Sequence, residues 1–326
     1  MKNGVKILFL LSILFFWACE STVVLPVAVS ECSNLPEGRA AAASFVCAGK
    51  AYIFGGRTDG GKYLNTLCRF NPENNMWDEL GTTPLKPRVN AVACVVRDTV
   101  YIGLGFSGEK VYTDSCYLRD FWQYVPSSNQ WTRLPDYISN ETNGCVCFCD
   151  SSHIYTGFGY AGLHSRKMFS YSISDSVWTE QELSRLNIPT AVFAPVCATT
   201  SGRHFMGTGF TTESTSQWFE YKPQQKRFVR LSSLPDKGRD SATATANEEY
   251  VYVFGGQRFG GTLTTLRFYD EIMRYSVATG GWSVCSFLPC GGVIEPIAFT
   301  IGNKVYVGGG EKRDGTLVDK LYRIEE

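Results

Sequence analysis

The chain has 326 residues, 31 basic and 31 acidic, and a formal net charge of zero. With 44% hydrophobic and 14% aromatic residues and no low-complexity tract, it has the composition of a chain that buries a core, which sets aside intrinsic disorder. The absence of a basic block also sets aside nucleic acid as a partner, because that binding needs clustered charge to neutralise phosphates.

Taken from the N-terminus, residues 1–19 stand apart. Lys2 and Lys6 precede an apolar run from Ile7 to Phe16, followed by Trp17, Ala18 and Cys19. The run is too short to cross a hydrocarbon core about 30 Å thick, which takes a helix of roughly 20 residues, and it reads as an export signal. A Cys directly after a small residue at this point resembles a bacterial lipoprotein site, although Phe16 and Trp17 depart from its usual leucine and small residue. The resemblance implies a lipid on Cys19, a location in the periplasm or at the outer membrane, and membrane attachment through that lipid alone. Residues 20–326 are predicted to form a single domain.

Within that domain an aromatic residue stands four places before a glycine six times over: Tyr52 and Gly56, Tyr101 and Gly105, Tyr155 and Gly159, Phe205 and Gly209, Tyr252 and Gly256, Tyr306 and Gly310. The copies are 49, 54, 50, 47 and 54 residues apart, too regular for chance and too long for helical solenoid units. After each glycine comes a second aromatic pair at a spacing of seven: Phe70 and Trp77, Tyr124 and Trp131, Tyr171 and Trp178, Tyr221 and Phe228, Tyr275 and Trp282. The sixth copy has Tyr322 without a partner before Glu326. Between the markers lie short alternating runs such as Ala51 to Phe54 and Tyr250 to Phe254, bounded by Gly, Asn, Ser and Pro, which is the pattern of strands and turns. Each copy is therefore predicted to be a four-stranded antiparallel unit.

A glycine pair after an apolar strand (Phe54-Gly55-Gly56, Phe254-Gly255-Gly256), followed by Tyr and then Trp, resembles the kelch family over roughly residues 23–326. The resemblance implies an all-β, six-bladed kelch β-propeller around a central channel. Copies two to four read Gly-x-Gly at the same place. A Leu-Pro pair begins six residues after the second aromatic in copies four and five (Leu234, Leu288), and the same pair occurs at Leu35. Counting back six places from Leu35 puts Val29 in the position of Trp282, so the segment around it is predicted to be the outer strand of the last blade and to close the ring.

The repeat also sorts the 12 cysteines. Counted from each aromatic, one inner-strand position reads Ser44, Ala93, Cys147, Cys197, Ala244 and Ala298, and the position two before it reads Ala42, Ala91, Cys145, Pro195, Ala242 and Pro296. Cys145, Cys147 and Cys149 are accordingly expected to be small residues packed near the axis; successive same-face residues lie about 6.6 Å apart along a strand, awkward for one tetrahedral ion. No metal and no cofactor is expected. Cys285 and Cys290 are close enough in sequence to pair.

Thirteen residues before the aromatic the ring reads Arg39, Arg88, Thr142, Val192, Arg239 and Val293, on the same disc face as Arg57, Tyr160, Gln257, Arg258, Glu311, Lys312 and Arg313. The expected function is a binding module, monomeric, whose arginines converge on a glycan, an acidic sugar or a protein segment, since guanidinium groups grip carboxylates with two parallel hydrogen bonds; the competing reading is that each arginine pairs locally and stitches blades together. His153 and His204, which flank inner-blade strands, are read as structural, and His164 is placed in a loop after Gly159. The enzymatic alternative comes from resemblance to the sialic acid mutarotases (N-acetylneuraminate epimerases) at Val100 to Gly105 and Gly238 to Asp240. It implies Glu311 as the proton-transfer group and Arg239 as the carboxylate clamp. Lipidation is checked by labelling with a fatty-acid analogue: Cys19 should carry the label and Cys19→Ser should lose it, and label that survives the substitution refutes the assignment.

Overall fold

The computed structural model describes residues 26–108, 114–190 and 192–325, and these contain no α-helix. Cys19 and the apolar run before it lie outside the described residues. Six four-stranded antiparallel sheets account for the fold. Blade one is Ala43–Cys47, Lys50–Phe54, Thr66–Asn71 and Met76–Thr82; blade two is Val92–Val96, Thr99–Gly103, Phe121–Val125 and Gln130–Leu134; blade three is Asn143–Cys149, His153–Tyr160, Met168–Ser172 and Val177–Glu180. Blade four is Val196–Thr200, Arg203–Gly207, Trp218–Lys222 and Arg227–Arg230, and blade five is Asp240–Ala246, Tyr250–Arg258, Glu271–Ser276 and Trp282–Phe287, with Arg267–Phe268 pairing beside its second strand. Blade six is Ile297–Ile301, Lys304–Gly308, Leu321–Glu325 and, as its outer strand, Ala28–Glu31. The first strand of each blade lies against those of its neighbours, and that of blade six lies against that of blade one.

The invariant glycine of the repeat has a steric cause. Gly56, Gly105, Gly159, Gly209, Gly256 and Gly310 all have φ between 80° and 100°, outside the range that side-chain-bearing residues adopt. A Cβ on any of them would also meet a backbone carbonyl oxygen 2.5–2.9 Å away. The residue before each has φ between 57° and 66°, which is ordinary left-handed backbone, and there Leu104, Phe158 and Thr208 stand as comfortably as Gly55, Gly255 and Gly309. This is why Gly-Gly relaxes to Gly-x-Gly in three blades while the second glycine never changes.

What the turn achieves is a bond between blades. The N–H of Gly56 donates to the carbonyl of Arg88 at 2.8 Å, Gly105 to Thr142 at 3.0 Å, Gly209 to Arg239 at 2.9 Å, Gly256 to Val293 at 2.7 Å and Gly310 to Arg39 at 2.8 Å. Each runs from one blade to the residue that leads into the next blade's inner strand. Between the blades lie six apolar clusters, one for each junction, including Tyr252, Phe254 and Ile324 between blades five and six and Phe70, Phe299 and Tyr306 between blades six and one. The second aromatic pair sits at these junctions with ring centroids 4.2–5.2 Å apart, a contact worth about 0.5–1.5 kcal/mol beyond the area it buries. Three of the tryptophans also donate from Nε1 to the end of the preceding blade: Trp77 to Ser33 at 3.2 Å, Trp178 to Pro135 at 3.0 Å and Trp282 to Ser232 at 2.8 Å.

The N-terminal strand completes the last blade as expected, with one correction of register. Tyr322 faces Glu31, as Tyr275 faces Trp282, and Val29 lies opposite Ile324. The count from Leu35 is two residues out because the link into blade one differs from the other blades: Leu35 bonds to Asp319, three before the tyrosine, whereas Leu234 and Leu288 bond five before theirs. A shift of two keeps the same face, so Val29 still packs onto the cluster between blades five and six. Without this strand, Leu321–Glu325 would be a bare edge with unpaired backbone groups. Deleting residues 22–34 should therefore abolish the single cooperative thermal transition, followed by circular dichroism; an unchanged transition contradicts the assignment.

Candidate functional site

The inner strands line a central cavity of about 460 Å³. Its wall is built in rings. Ala42, Ala91, Cys145, Pro195, Ala242 and Pro296 form one, and Ser44, Ala93, Cys147, Cys197, Ala244 and Ala298 the next, so the small-residue positions of the repeat do face the axis. At the mouth a further ring reads Ala41, Asn90, Gly144, Ala194, Ser241 and Glu295, all six with φ between 48° and 70°. Backbone bonds link part of this ring head to tail: Glu295 N–H to Ser241 at 2.6 Å, Ala41 to Glu295 at 3.0 Å and Asn90 to Ala41 at 3.0 Å. The left-handed backbone turns each chain into its inner strand at the same height, which fixes the mouth as a rigid rim.

Just outside the rim, the residue after each invariant glycine pairs with the residue that enters the inner strand. The pairs are Arg57 with Ala40, Phe106 with Val89, Tyr160 with Asn143, Phe210 with Phe193, Gln257 with Asp240 and Glu311 with Ile294. The mouth is thus divided. Blades five, six and one present polar groups, and blades two, three and four present aromatic rings.

On the polar side Arg57 bonds through one Nη to Glu295 and through the other to Glu311, with side-chain exposures of 20%, 18% and 27%. Burial works against the Arg57 cation, but the two carboxylates outweigh it and hold its pKa above the ordinary value. Asp240 is buried, and among the described residues no cation lies beside it. Burial pushes its carboxyl above the usual range, against the hydrogen bonds it accepts from Ser214, Gln257 (3.1 Å) and Ser241 (3.0 Å). Ser214 also accepts from the Phe259 N–H at 2.8 Å, so this carboxyl ties the loops of blades four and five to the rim.

On the aromatic side, ring contacts run without a break from blade one to blade four. Tyr63 lies 6.5 Å from Phe106, Phe106 5.4 Å from Tyr117, Tyr117 6.3 Å from Tyr160, and Tyr160 5.1 Å from His164 and 6.2 Å from Phe193. Phe210 continues the arc to Phe259 at 6.0 Å. Tyr160, Phe193, Phe210 and Phe259 are half-buried.

The three repeat arginines do not converge on an anion. Arg39, Arg88 and Arg239 are 0–1% exposed and are wedged into their own blades. Arg88 grips Asp120 with two bonds of 2.8 and 2.9 Å and reaches the Leu104 carbonyl at 3.0 Å. Arg239 bonds to Asp236 at 2.7 Å and the Gly255 carbonyl at 3.0 Å, with its guanidinium 4.2 Å from the Tyr269 ring centre; Arg39 bonds to Glu37 at 2.9 Å and the Gly55 carbonyl at 3.4 Å. Position explains this: their carbonyls hold the next glycine, so their side chains are drawn beneath the rim. Arg57 and Glu311 do meet, and Tyr160 joins the aromatic arc. Arg258 sits opposite Arg267 on the strand pair of blade five and has no part in the Arg57 ion pairs. Lys312 and Arg313 lie in the turn after Glu311, Lys312 closing it through a backbone bond to Thr316 at 2.9 Å.

Glu295, Asp240, Asn90 and Asn143 escaped the sequence reading. Their signal was the same repeat count taken one and two places further on, which yields the rim positions directly. His204 is buried, its pKa pushed down by burial, and bonds to Thr199 at 2.9 Å; His164 lies against Tyr160. Among the described residues no disulfide is formed, between Cys285 and Cys290 or elsewhere, and no group of three or more His, Cys, Asp or Glu is arranged to hold a metal ion. No described helix is long and apolar enough to cross a membrane.

Residues 16–209, more than half of the chain, match the family model described as the KLHDC2/KLHL20/DRC7 Kelch-repeats domain. The chain is 24% identical over 301 residues to the leucine-zipper-like transcriptional regulator 1 homolog of Drosophila melanogaster, covering 84% of this chain and 29% of that protein. It is 20% identical over 265 residues to N-acetylneuraminate epimerase 1 of Escherichia coli O6:H1, covering 80% and 65%. It therefore spans less than two thirds of either. A solved structure described as that of YjhT superposes with a TM-score of 0.73 at 15% identity, covering 89% of this chain and 95% of that one, a likeness of fold.

The Arg88 and Asp120 pair tests the structural role of the repeat arginines. Burial alone would raise the Asp120 carboxyl, but the bonds and charge of Arg88 hold it below the usual carboxylate range. A depressed folded pKa stabilises the protein above the unfolded carboxylate value of about 3.9 and loses that contribution as pH falls through the folded value. Arg88→Met should cost about 3–5 kcal/mol at pH 7, because it strands a largely buried carboxylate. Urea unfolding should show a smaller penalty at pH 4, and a penalty of equal size at both pH values contradicts the pairing.

Proposed function

The chain belongs to the Kelch-repeat family, and we propose that it is a binding module that takes a glycan on the disc face around the channel mouth. A Kelch propeller is a binding or sugar-related module, and the divided mouth supports the sugar reading. Sugars present a flat C–H face and a rim of hydroxyls. The electron-rich faces of Tyr160, Phe193 and Phe210 suit the first, and Asn90, Glu295, Arg57 and Glu311 suit the second. The observation that carries this is the half-buried aromatic arc ending beside an ion-pair cluster on one rigid rim. An acidic sugar reaches Arg57 only by displacing Glu295 or Glu311, so binding of such a sugar should weaken with salt. The proposal keeps the chain exported and held to the membrane by a lipid on Cys19. A protein segment is the competing occupant of the same face.

A mutarotase reading rests on the 80% coverage by N-acetylneuraminate epimerase 1 and on Glu311, part-exposed at the mouth. In this reading Glu311 would exchange a proton with the sugar ring oxygen or anomeric hydroxyl. Arg239 is buried and engaged, so the carboxylate would fall to Arg57. Saturation-transfer NMR with sialyllactose and with free N-acetylneuraminic acid separates the readings. A binding module transfers saturation to the sugar and loses at least tenfold in affinity in Tyr160→Ala, while a mutarotase also exchanges the anomers of the free sugar, an exchange lost in Glu311→Gln. No saturation transfer to either sugar, or full affinity in Tyr160→Ala, removes the glycan proposal.

A further inference from the structure

A second cavity, of about 630 Å³, opens on blade two. Small-ligand sites occupy roughly 300–1,000 Å³. Tyr117 lines it and also stands in the aromatic arc between Phe106 and Tyr160, so the cavity adjoins the channel mouth. Its other walls include Lys86 from the link into blade two, Arg119 and Asp120 from the link between the second and third strands, and Trp122 and Arg133, which are partners on the third and fourth strands. Trp122 is held in place: it packs against the apolar cluster between blades one and two, and its Nε1 donates to Asp120 at 2.8 Å. The indole is half-buried, which leaves part of it open to the cavity. The charges around it do not balance. Asp120 is taken up by the buried Arg88, and Asp136 by Arg133 at 2.8 Å. Lys86 and Arg119 are exposed, and among the described residues neither has a carboxylate partner; Arg119 bonds instead to the side-chain oxygen of Asn140 at 3.2 Å.

We propose that this cavity takes a hexuronic acid unit of an oligosaccharide whose neighbouring units lie along the aromatic arc at the mouth; the inference rests on the glycan reading of that face and makes the ligand an acidic oligosaccharide rather than a single sugar. Trp122 offers a flat ring face to the C–H groups of the sugar. Arg119 offers its planar fork to the carboxylate, and Lys86 adds a second cation at the same cavity. The mouth is the poorer place for that charge, because Arg57 is already held by Glu295 and Glu311. Tyr117, shared by the cavity and the arc, joins the two into one groove.

The test titrates the full chain calorimetrically with hexasaccharides of hyaluronan and of polygalacturonic acid, each beside its carboxyl-reduced, neutral form. At least one acidic hexasaccharide should bind tenfold or more tighter than its neutral form, and the difference should shrink as salt is added. The Lys86→Gln, Arg119→Gln double variant, whose changes are both at exposed positions, should lose that advantage and bind the neutral form as the wild type does. Failure of both acidic hexasaccharides to bind overturns the proposal. Equal affinity for acidic and neutral forms, unchanged in the double variant but weakened by Tyr160→Ala, also overturns it and leaves the glycan reading of the mouth standing. An advantage lost in the double variant and untouched by Tyr160→Ala upholds the cavity and removes the mouth.

Discussion

Everything in this molecule hangs on a backbone amide that points sideways. At the end of the second strand the chain turns with φ near 90°, and the glycine N–H leaves its own blade to bond with the carbonyl that opens the next. A single blade cannot bury its own apolar faces, and stacking neighbours does so. Repeating one lateral bond at five of the six junctions gives these blades the same kind of link to their neighbours, and aromatic packing fills the gap between them. Stability in such an array is a sum of units and nearest-neighbour contacts. The glycine bond belongs to the second kind.

The same bond shapes the site. Because the carbonyl of residue 39, 88 or 239 is held by the preceding blade, its arginine side chain lies under the rim and binds groups of its own blade. The next two residues then rise into the mouth, one pairing outward and one adopting the left-handed turn. Functional variety is thereby confined to three positions per blade, these two and the residue after the invariant glycine, and this chain fills them unevenly. Phe106, Tyr160, Phe193 and Phe210 take one half, and Asp240, Gln257, Glu295, Glu311 and Arg57 take the other. A mouth of that kind suits a ligand with one flat apolar face and one polar edge.

Most of the fold was legible because its cause is local and repeated. A glycine that no side chain can replace, six times over, marks a required φ, and strand alternation supplies the rest. The outer strand of blade six was legible through its Leu-Pro pair, although its register was two residues out because the link into blade one bonds differently. The site was legible only in part. Arg57, Glu311 and Tyr160 lie at the mouth, where the glycine marker puts them, and the three repeat arginines, for which the sequence leaves ligand binding and local pairing open, are buried in local pairs. Sequence shows that they share one ring position but not that their carbonyls are committed to the neighbouring blade, and that commitment decides their burial. Glu295 and Asn90 were both missed: an asparagine is a residue type that favours a left-handed turn, but nothing in a glutamate announces one, so the ring position did not show as such.

Amide hydrogen exchange, resolved by NMR at Gly56, Gly105, Gly209, Gly256 and Gly310, tests the lateral bond most directly. If these bonds tie the blades, the five amides exchange only through global unfolding, with protection equal to that of the innermost strands and falling in step with them as urea is added. Exchange at the rate of surface turns, while the inner strands stay protected, would show that the blades hold together without these bonds and would contradict the account.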